Sequence, residues 1–239
     1  MRGKMVRMLL GFVLATAWGS AVGFGSGGVV HASAAEAYPE QGQTSVKVLE
    51  LQQRLVATKS LKVDYITGYY GSRTEAGVET FQKSASLKRT GKVDARTWKA
   101  LVKRTGKVDL SAVPGIDERC QTKGRVLCVD KTRDKLFYLK ESTVVQVMDA
   151  RFGCAGMRTR EGRFKVFRKS RHHVSSIYHT SMPYAMFFSG GQAVHYSADF
   201  AKRGYAGCSH GCINLRDKTG IAWLFDQMKI GDRVVVYKS

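Results

Sequence analysis

The sequence predicts two domains of different class: a small all-α three-helix unit, then a mostly-β domain with one packed helix. Three observations predict this. Apolar residues recur at helical spacing up to residue 104. Residues 105–119 have no periodicity and read as a linker. Beyond them, short β-branched and aromatic runs take over.

The N-terminus stands apart from both units. Arg2, Lys4 and Arg7 precede an uncharged apolar run, and Ala32 and Ala34 place small side chains at the spacing of a cleavage site. Residues 1–34 therefore read as a secretory signal. "GSGGVV" interrupts the apolar run before it reaches spanning length, so no stable membrane span is expected after cleavage. The chain carries a net charge of +20, and loss of the three signal cations leaves +17. Such an excess often points to nucleic acid, but an exported chain has little access to it. An anionic cell wall is the expected partner, with the protein secreted and wall-associated. Export also puts the five cysteines in an oxidising compartment, where an odd count leaves one thiol unpaired.

In the first unit, residues 45–104, Val48, Leu51 and Leu55 mark the first helix. Ser72 and Glu75 fit a capping box for the second, with Val78 and Phe81 on its inner face. Asp94 is the expected N-cap of the third, with Trp98, Leu101 and Val102 facing inward. "TGYYGSRT" and "TGKVDART" are near-copies 23 residues apart, each a glycine turn feeding a helix. With "LQQRL", "FQK" and "GKVDARTWKAL", the unit resembles a peptidoglycan-binding domain.

In the second unit, "RVLCVD" and "KLFYLK" flank "KTRD" as a β-hairpin. "TVVQVMDARFG", "GRFKVF", "AVHY" and "RVVVYK" supply further strands, and Asp217 to Met228 is the packed helix. "YAGCSHGCIN" places Cys208, His210 and Cys212 at alternate positions, an arrangement that can be read as half a zinc site. Structural zinc cysteines come instead as paired C-x2-4-C units, so no metal is expected. His172, His173 and His179 read as surface or packing residues, and Met182, Met186, Phe187 and Phe188 as core or groove lining. A thiol nucleophile needs a base and converging amides. Cys212 follows a glycine, and His195 ends an apolar strand 17 residues upstream.

His195, Ser209, His210, Gly211, Cys212, Ile213 and Asn214 fill every position of a histidine, spacer and S-H-G-C-hydrophobic-N pattern. In this, residues 124–237 resemble the L,D-transpeptidase catalytic domain; the "TREGRF" segment departs from the family's proline–threonine–glycine. The resemblance implies that Cys212 is the nucleophile and His195 its base, oriented by the carbonyl of Tyr196. It further implies an oxyanion hole from the Gly211 and Cys212 amides, with Ser209 and His210 shaping the loop. Asn214 and Arg216 are expected to address the substrate or brace the turn, and Tyr184, Gly190 and Gly191 to line the groove. The implied activity exchanges the terminal D-alanine of a donor stem tetrapeptide for an acceptor stem amine, forming 3→3 cross-links without a cofactor. Carbapenem-type β-lactams are the implied covalent inhibitors. An L,D-carboxypeptidase, or a silent wall-binding protein, are the alternatives. With Cys212 kept as the thiol, four cysteines allow three pairings. Cys120 with Cys128, and Cys154 with Cys208, are the expected pairs.

Overall fold

The computed structural model describes residues 38–239. The expected secretory signal lies outside the described residues.

Helices α1 (Val46–Ala57), α2 (Ser72–Ser84) and α3 (Ala95–Thr105) form the N-terminal unit. Val48, Leu51, Leu55, Val78, Phe81 and Leu101 close its core. Ser45 caps α1 by accepting from the Val48 N–H, and Asp94 caps α3 by accepting from the Thr97 N–H. Two local expectations need correction. Gly71, not Ser72, is the N-cap of α2; Ser72 is already helical, and Glu75 accepts from the Gln41 amide instead of closing a capping box. Val102 is 38% exposed, because its neighbour Leu101 takes the inward position of α3.

The near-copies have a common physical cause. Gln52, buried on α1, accepts from the N–H groups of Thr67 and Gly68 and donates to the carbonyl of Tyr69 and the hydroxyl of Thr74. Gln82, buried on α2, repeats this with Thr90, Gly91, Lys92 and Thr97. Each amide satisfies a T-G turn and joins it to the next helix. A buried polar group is tolerated here because all its capacity is used.

The second unit is a nine-stranded sheet. Its strands are β1 (Arg125–Asp130), β2 (Lys135–Lys140), β3 (Thr143–Arg151), β4 (Gly162–Lys165) and β5 (Arg168–Val174). They are followed by β6 (Ser181–Ser189), β7 (Gln192–Tyr196), the short helix α4 (Ala198–Arg203) and β8 (Ile213–Leu215). Helix α5 (Lys218–Gln227) and β9 (Arg233–Tyr237) end the chain. The strand order is β4-β9-β1-β2-β3-β8-β7-β6-β5. Parallel pairing of β7 with β8, and of β1 with β9, interrupts an otherwise antiparallel sheet. Phe164 of β4 meets Phe188 of β6 edge-to-face at 5.4 Å, so the sheet curls into a half-barrel. β5, β6, β8 and the short helix α4 were not among the expected elements; of these, β5 and β8 carry the weakest signal. The first is polar and exposed along most of its length, and the second has only three residues.

One face of the sheet packs on α5 through Ile221, Leu224, Phe225 and Met228. Part of the other face packs on Leu49, Ile66 and Val113, which join Phe137, Val147 and Val235 in one cluster. The helical unit and the stretch at 105–119 are thus fixed to the sheet by a shared apolar core. A polar contact adds to it: the Thr44 hydroxyl donates to Asp149 of β3 at 2.8 Å.

Candidate active site

The site lies where β7 runs parallel to β8, with His195 opposite Asn214 and Val194 opposite Ile213. Val194, Ile213 and Leu215 point into the core under α5. Alternation therefore sends Ala193, His195 and Asn214 to the other face. There Cys212 packs against Met182, Ala185, Phe187 and Ala193. The Ala193 N–H donates to the Cys212 sulfur at 3.5 Å, and the thiol reaches the Gly191 carbonyl at 3.9 Å.

His195 Nδ1 lies 2.6 Å from the Tyr196 carbonyl oxygen. A carbonyl only accepts, so Nδ1 carries the proton and Nε2 keeps its lone pair. Burial drives the His195 pKa down to about 4, partly opposed by the Tyr196 carbonyl and reinforced by the nearby charge of His173. Burial also pushes the Cys212 thiol up, with a smaller opposing pull from the Ala193 N–H. Both shifts disfavour charge, so the thiol and the imidazole both rest neutral on this face of the sheet.

The loop that carries the cysteine is held from several sides. Ser209 Oγ donates to the Cys212 carbonyl at 2.5 Å and accepts from the Gly211 N–H at 3.2 Å. Thr159, buried, accepts from the Gly153 N–H and reaches the same carbonyl at 3.5 Å. Gly153 and Gly211 lie back to back. A Cβ on Gly153 would fall 1.9 Å from the Met157 carbonyl oxygen and 2.9 Å from Gly211, so no side chain fits. Gly211 has φ +103°, and a Cβ there would meet the Gln192 amide at 2.4 Å. Disulfides join Cys154 to Cys208 and Cys120 to Cys128, with Cα separations of 5.6 and 6.0 Å. The first fastens the loop to the end of β3, next to the bridge between Gly153 and Ser209. Cys212 is the free cysteine.

Gly191 reaches the thiol, and its neighbour Gly190 (φ +57°) completes the β6–β7 turn. Asn214 is buried, and its Oδ1 has no hydrogen-bond partner among the described residues. His210 is exposed and stacks on Tyr178 with ring centroids 4.0 Å apart. One expectation changes. Tyr184 packs on Phe225 of α5, on the sheet face away from Cys212; its φ of +59° interrupts the alternation of β6. Arg216 ion-pairs with Asp149, which also holds Lys135, so of its two expected roles the contacts favour bracing. The Gly211 N–H donates to the Ser209 hydroxyl. Conversely, sequence reading missed Thr159 and Gln192. Gln192 ties down the 158–160 segment through the Arg158 carbonyl and the Arg160 N–H. Only the "TREGRF" segment hinted at that neighbourhood.

The fold is a helical unit fixed to a half-barrel sheet, which carries one free thiol and a buried, backbone-oriented histidine on the same face. Residues 124–236 match the L,D-transpeptidase catalytic domain family, and residues 44–101 match a peptidoglycan binding domain family. The chain therefore carries a YkuD-type L,D-transpeptidase catalytic domain behind a peptidoglycan binding domain. No curated protein gives a significant match. Among solved structures, an L,D-transpeptidase from Stackebrandtia nassauensis is 24% identical, with TM-score 0.49, over 84% of this chain and 95% of its own. An L,D-transpeptidase from Xylanimonas cellulosilytica is 29% identical, with TM-score 0.46, over 85% of this chain and 98% of its own. L,D-transpeptidase 3 from Mycobacterium tuberculosis, in complex with a faropenem-derived adduct, is 22% identical, with TM-score 0.44, over 48% of this chain and 60% of its own.

Proposed function

We propose that the protein is a wall-associated, cysteine-dependent L,D-transpeptidase that forms 3→3 peptidoglycan cross-links. The observation that carries this reading is the fixed tautomer of His195, with Nδ1–H held by the Tyr196 carbonyl, on the same sheet face as the one free thiol. Because both groups rest neutral, proton transfer accompanies attack. The Cys212 sulfur bonds to the carbonyl carbon that precedes the terminal D-alanine, and its proton passes to His195 Nε2. The carbon–nitrogen bond then breaks, and His195 returns the proton to the leaving D-alanine amine. A side-chain amine of a second stem attacks the thioester; His195 takes one of its protons and hands it to the departing sulfur. With the Gly211 N–H engaged, the Cys212 amide is the loop donor left to meet the oxyanion. The unpaired Asn214 Oδ1 offers an acceptor for a stem-peptide N–H. The N-terminal domain keeps the enzyme on its polymeric substrate and raises the local stem concentration.

The test is intact-protein mass spectrometry after exposure to a carbapenem, together with muropeptide analysis after incubation with donor and acceptor stems. A single adduct on Cys212, absent in Cys212→Ala, and 3→3 dimers are expected. An adduct that persists in Cys212→Ala, or none on the wild type, sinks the thioester mechanism. Tripeptide products without dimers would replace the amine acceptor by water.

A further inference from the structure

A cavity of about 700 Å³ lies apart from the thiol site, and neither Cys212 nor His195 lines it. One wall is the single helical turn Glu118–Cys120, anchored to β1 by the Cys120–Cys128 disulfide. The other is the sheet edge, where Lys165 of β4 faces Arg233 of β9 and Arg163 faces Val235. Arg119, Arg163, Lys165 and Arg233 all line the cavity, against one carboxylate, Glu118.

The arrangement of these cations is costly on its own. Lys165 and Arg233 oppose each other directly across the ladder, a like-charge pairing that destabilises a sheet. The side chains of Arg163 and Lys165 are exposed and make neither a hydrogen bond nor an ion pair among the described residues, although Arg163 lies near enough to lower the Asp117 pKa. As alternate residues of one strand they project the same way, roughly 6.6 Å apart. The other two cations are already oriented. Arg119 makes a two-pronged pair with Asp117 at 2.6 Å, and Arg233 donates to the Thr122 hydroxyl and the Lys123 carbonyl. Phe164 and Val235 add apolar surface to the same cavity.

A ligand that relieves this repulsion must present several anions in a row, with short carbon links between them for the apolar surface. We propose that the groove binds a linear phosphodiester polymer with non-aromatic linkers, its phosphates held by Arg163, Lys165, Arg233 and Arg119. Guanidinium forks match phosphate oxygens two at a time, which favours phosphate in an arginine-rich groove. The cavity presents no aromatic face free for base stacking, since Phe164 is engaged with Phe188. The site is independent of the thiol chemistry and of the N-terminal domain, and adds a second hold on an anionic wall.

The experiment is fluorescence anisotropy of end-labelled short poly(glycerol phosphate) with the full chain. Reversal of Arg163→Glu with Lys165→Glu is expected to weaken binding more than about tenfold, by loss of two phosphate contacts. The equal charge change Lys88→Glu with Lys202→Glu, at exposed sites elsewhere, is expected to cost less than about twofold. The milder pair Arg163→Gln with Lys165→Gln should lower the slope of log affinity against log salt by roughly two ions, a readout that survives if the reversed pair folds poorly. Cys212→Ala should bind like the wild type. Equal losses in the groove and control pairs, no loss in either, or an unchanged salt slope overturns the proposal. So does poly-glutamate or oligothymidylate binding as tightly as the phosphodiester probe.

Discussion

The buried glutamines that join the helical repeats and several buried polar groups near Cys212 differ in how fully they are bonded. In the helical unit, Gln52 and Gln82 are buried and their amides are fully used, each closing a T-G turn onto the next helix. Around Cys212, Ser209 and Thr159 are bonded, whereas three other groups are fixed on one side and open on the other. His195 is held at Nδ1 and not at Nε2's expense, Asn214 lacks a partner at Oδ1, and the Cys212 thiol has only long contacts. Fully satisfied polar burial builds a scaffold, whereas half-satisfied burial leaves bonding capacity for a ligand.

Gly153→Ala tests the open side most severely. The added methyl has no space beside the Met157 carbonyl oxygen and Gly211, so the loop holding Cys212 must shift. Carbapenem acylation is expected to slow by more than about 100-fold, the scale of a 1 Å misplacement of reacting groups. The helical core should remain, read as an unchanged spectrum of Trp98. Acylation within a few-fold of the wild type would show that the glycine pair does not set the thiol's position. Gln82→Leu tests the closed side. It orphans the N–H groups of Thr90 and Gly91, at an expected cost of about 4 kcal/mol in chemical denaturation. Gln52→Leu should cost a similar amount, because it orphans the matching pair at Thr67 and Gly68. A large difference between the two would break the equivalence of the repeats.

That equivalence was visible as two near-copies in the sequence, but the glutamines that cause it lie on preceding helices and were not linked to the turns. The apolar period likewise located α1, α2, α3 and α5, because each buries one stripe. It failed for β5, whose residues are polar and exposed, and for the N-cap of α2, where glycine replaced the expected serine. At the site, Cys212 and His195 were legible because the motif is contiguous and the strand before it is apolar. Thr159 and Gln192 were not, since their roles come from loops brought together only by the curled sheet. Tyr184 was assigned to the groove by the family resemblance alone, whereas its positive φ breaks the alternation of β6 and turns it onto α5.

Acid offers a way to sharpen the comparison. His195 titrates near pH 6.5 when unfolded and at about 4 when folded. Between those values the unfolded chain holds the extra proton, so stability rises with pH across the window and is lost as pH falls from 6.5 towards 4. The shift corresponds to about 3 kcal/mol. Denaturation midpoints across this range should flatten in His195→Gln. His173, also lowered by burial and by Arg168, contributes in the same sense, so His173→Gln is the needed control. A pH slope unchanged in His195→Gln would show that the imidazole is not buried neutral.

The smallest expected effect concerns the seam between the two domains. Thr44 donates to Asp149, which already accepts from Lys135 and Arg216. Thr44→Val removes one of these bonds while the carboxylate keeps both cations, so a loss of about 1 kcal/mol is expected. The apolar cluster of Leu49, Ile66 and Val113 against the sheet should hold the domains together regardless. Acylation of Cys212 should not change, since Arg216 remains paired and β8 keeps its place. If Thr44→Val slows acylation as much as it lowers stability, the helical unit does more than support the sheet: its docking sets the catalytic strand through Asp149 and Arg216.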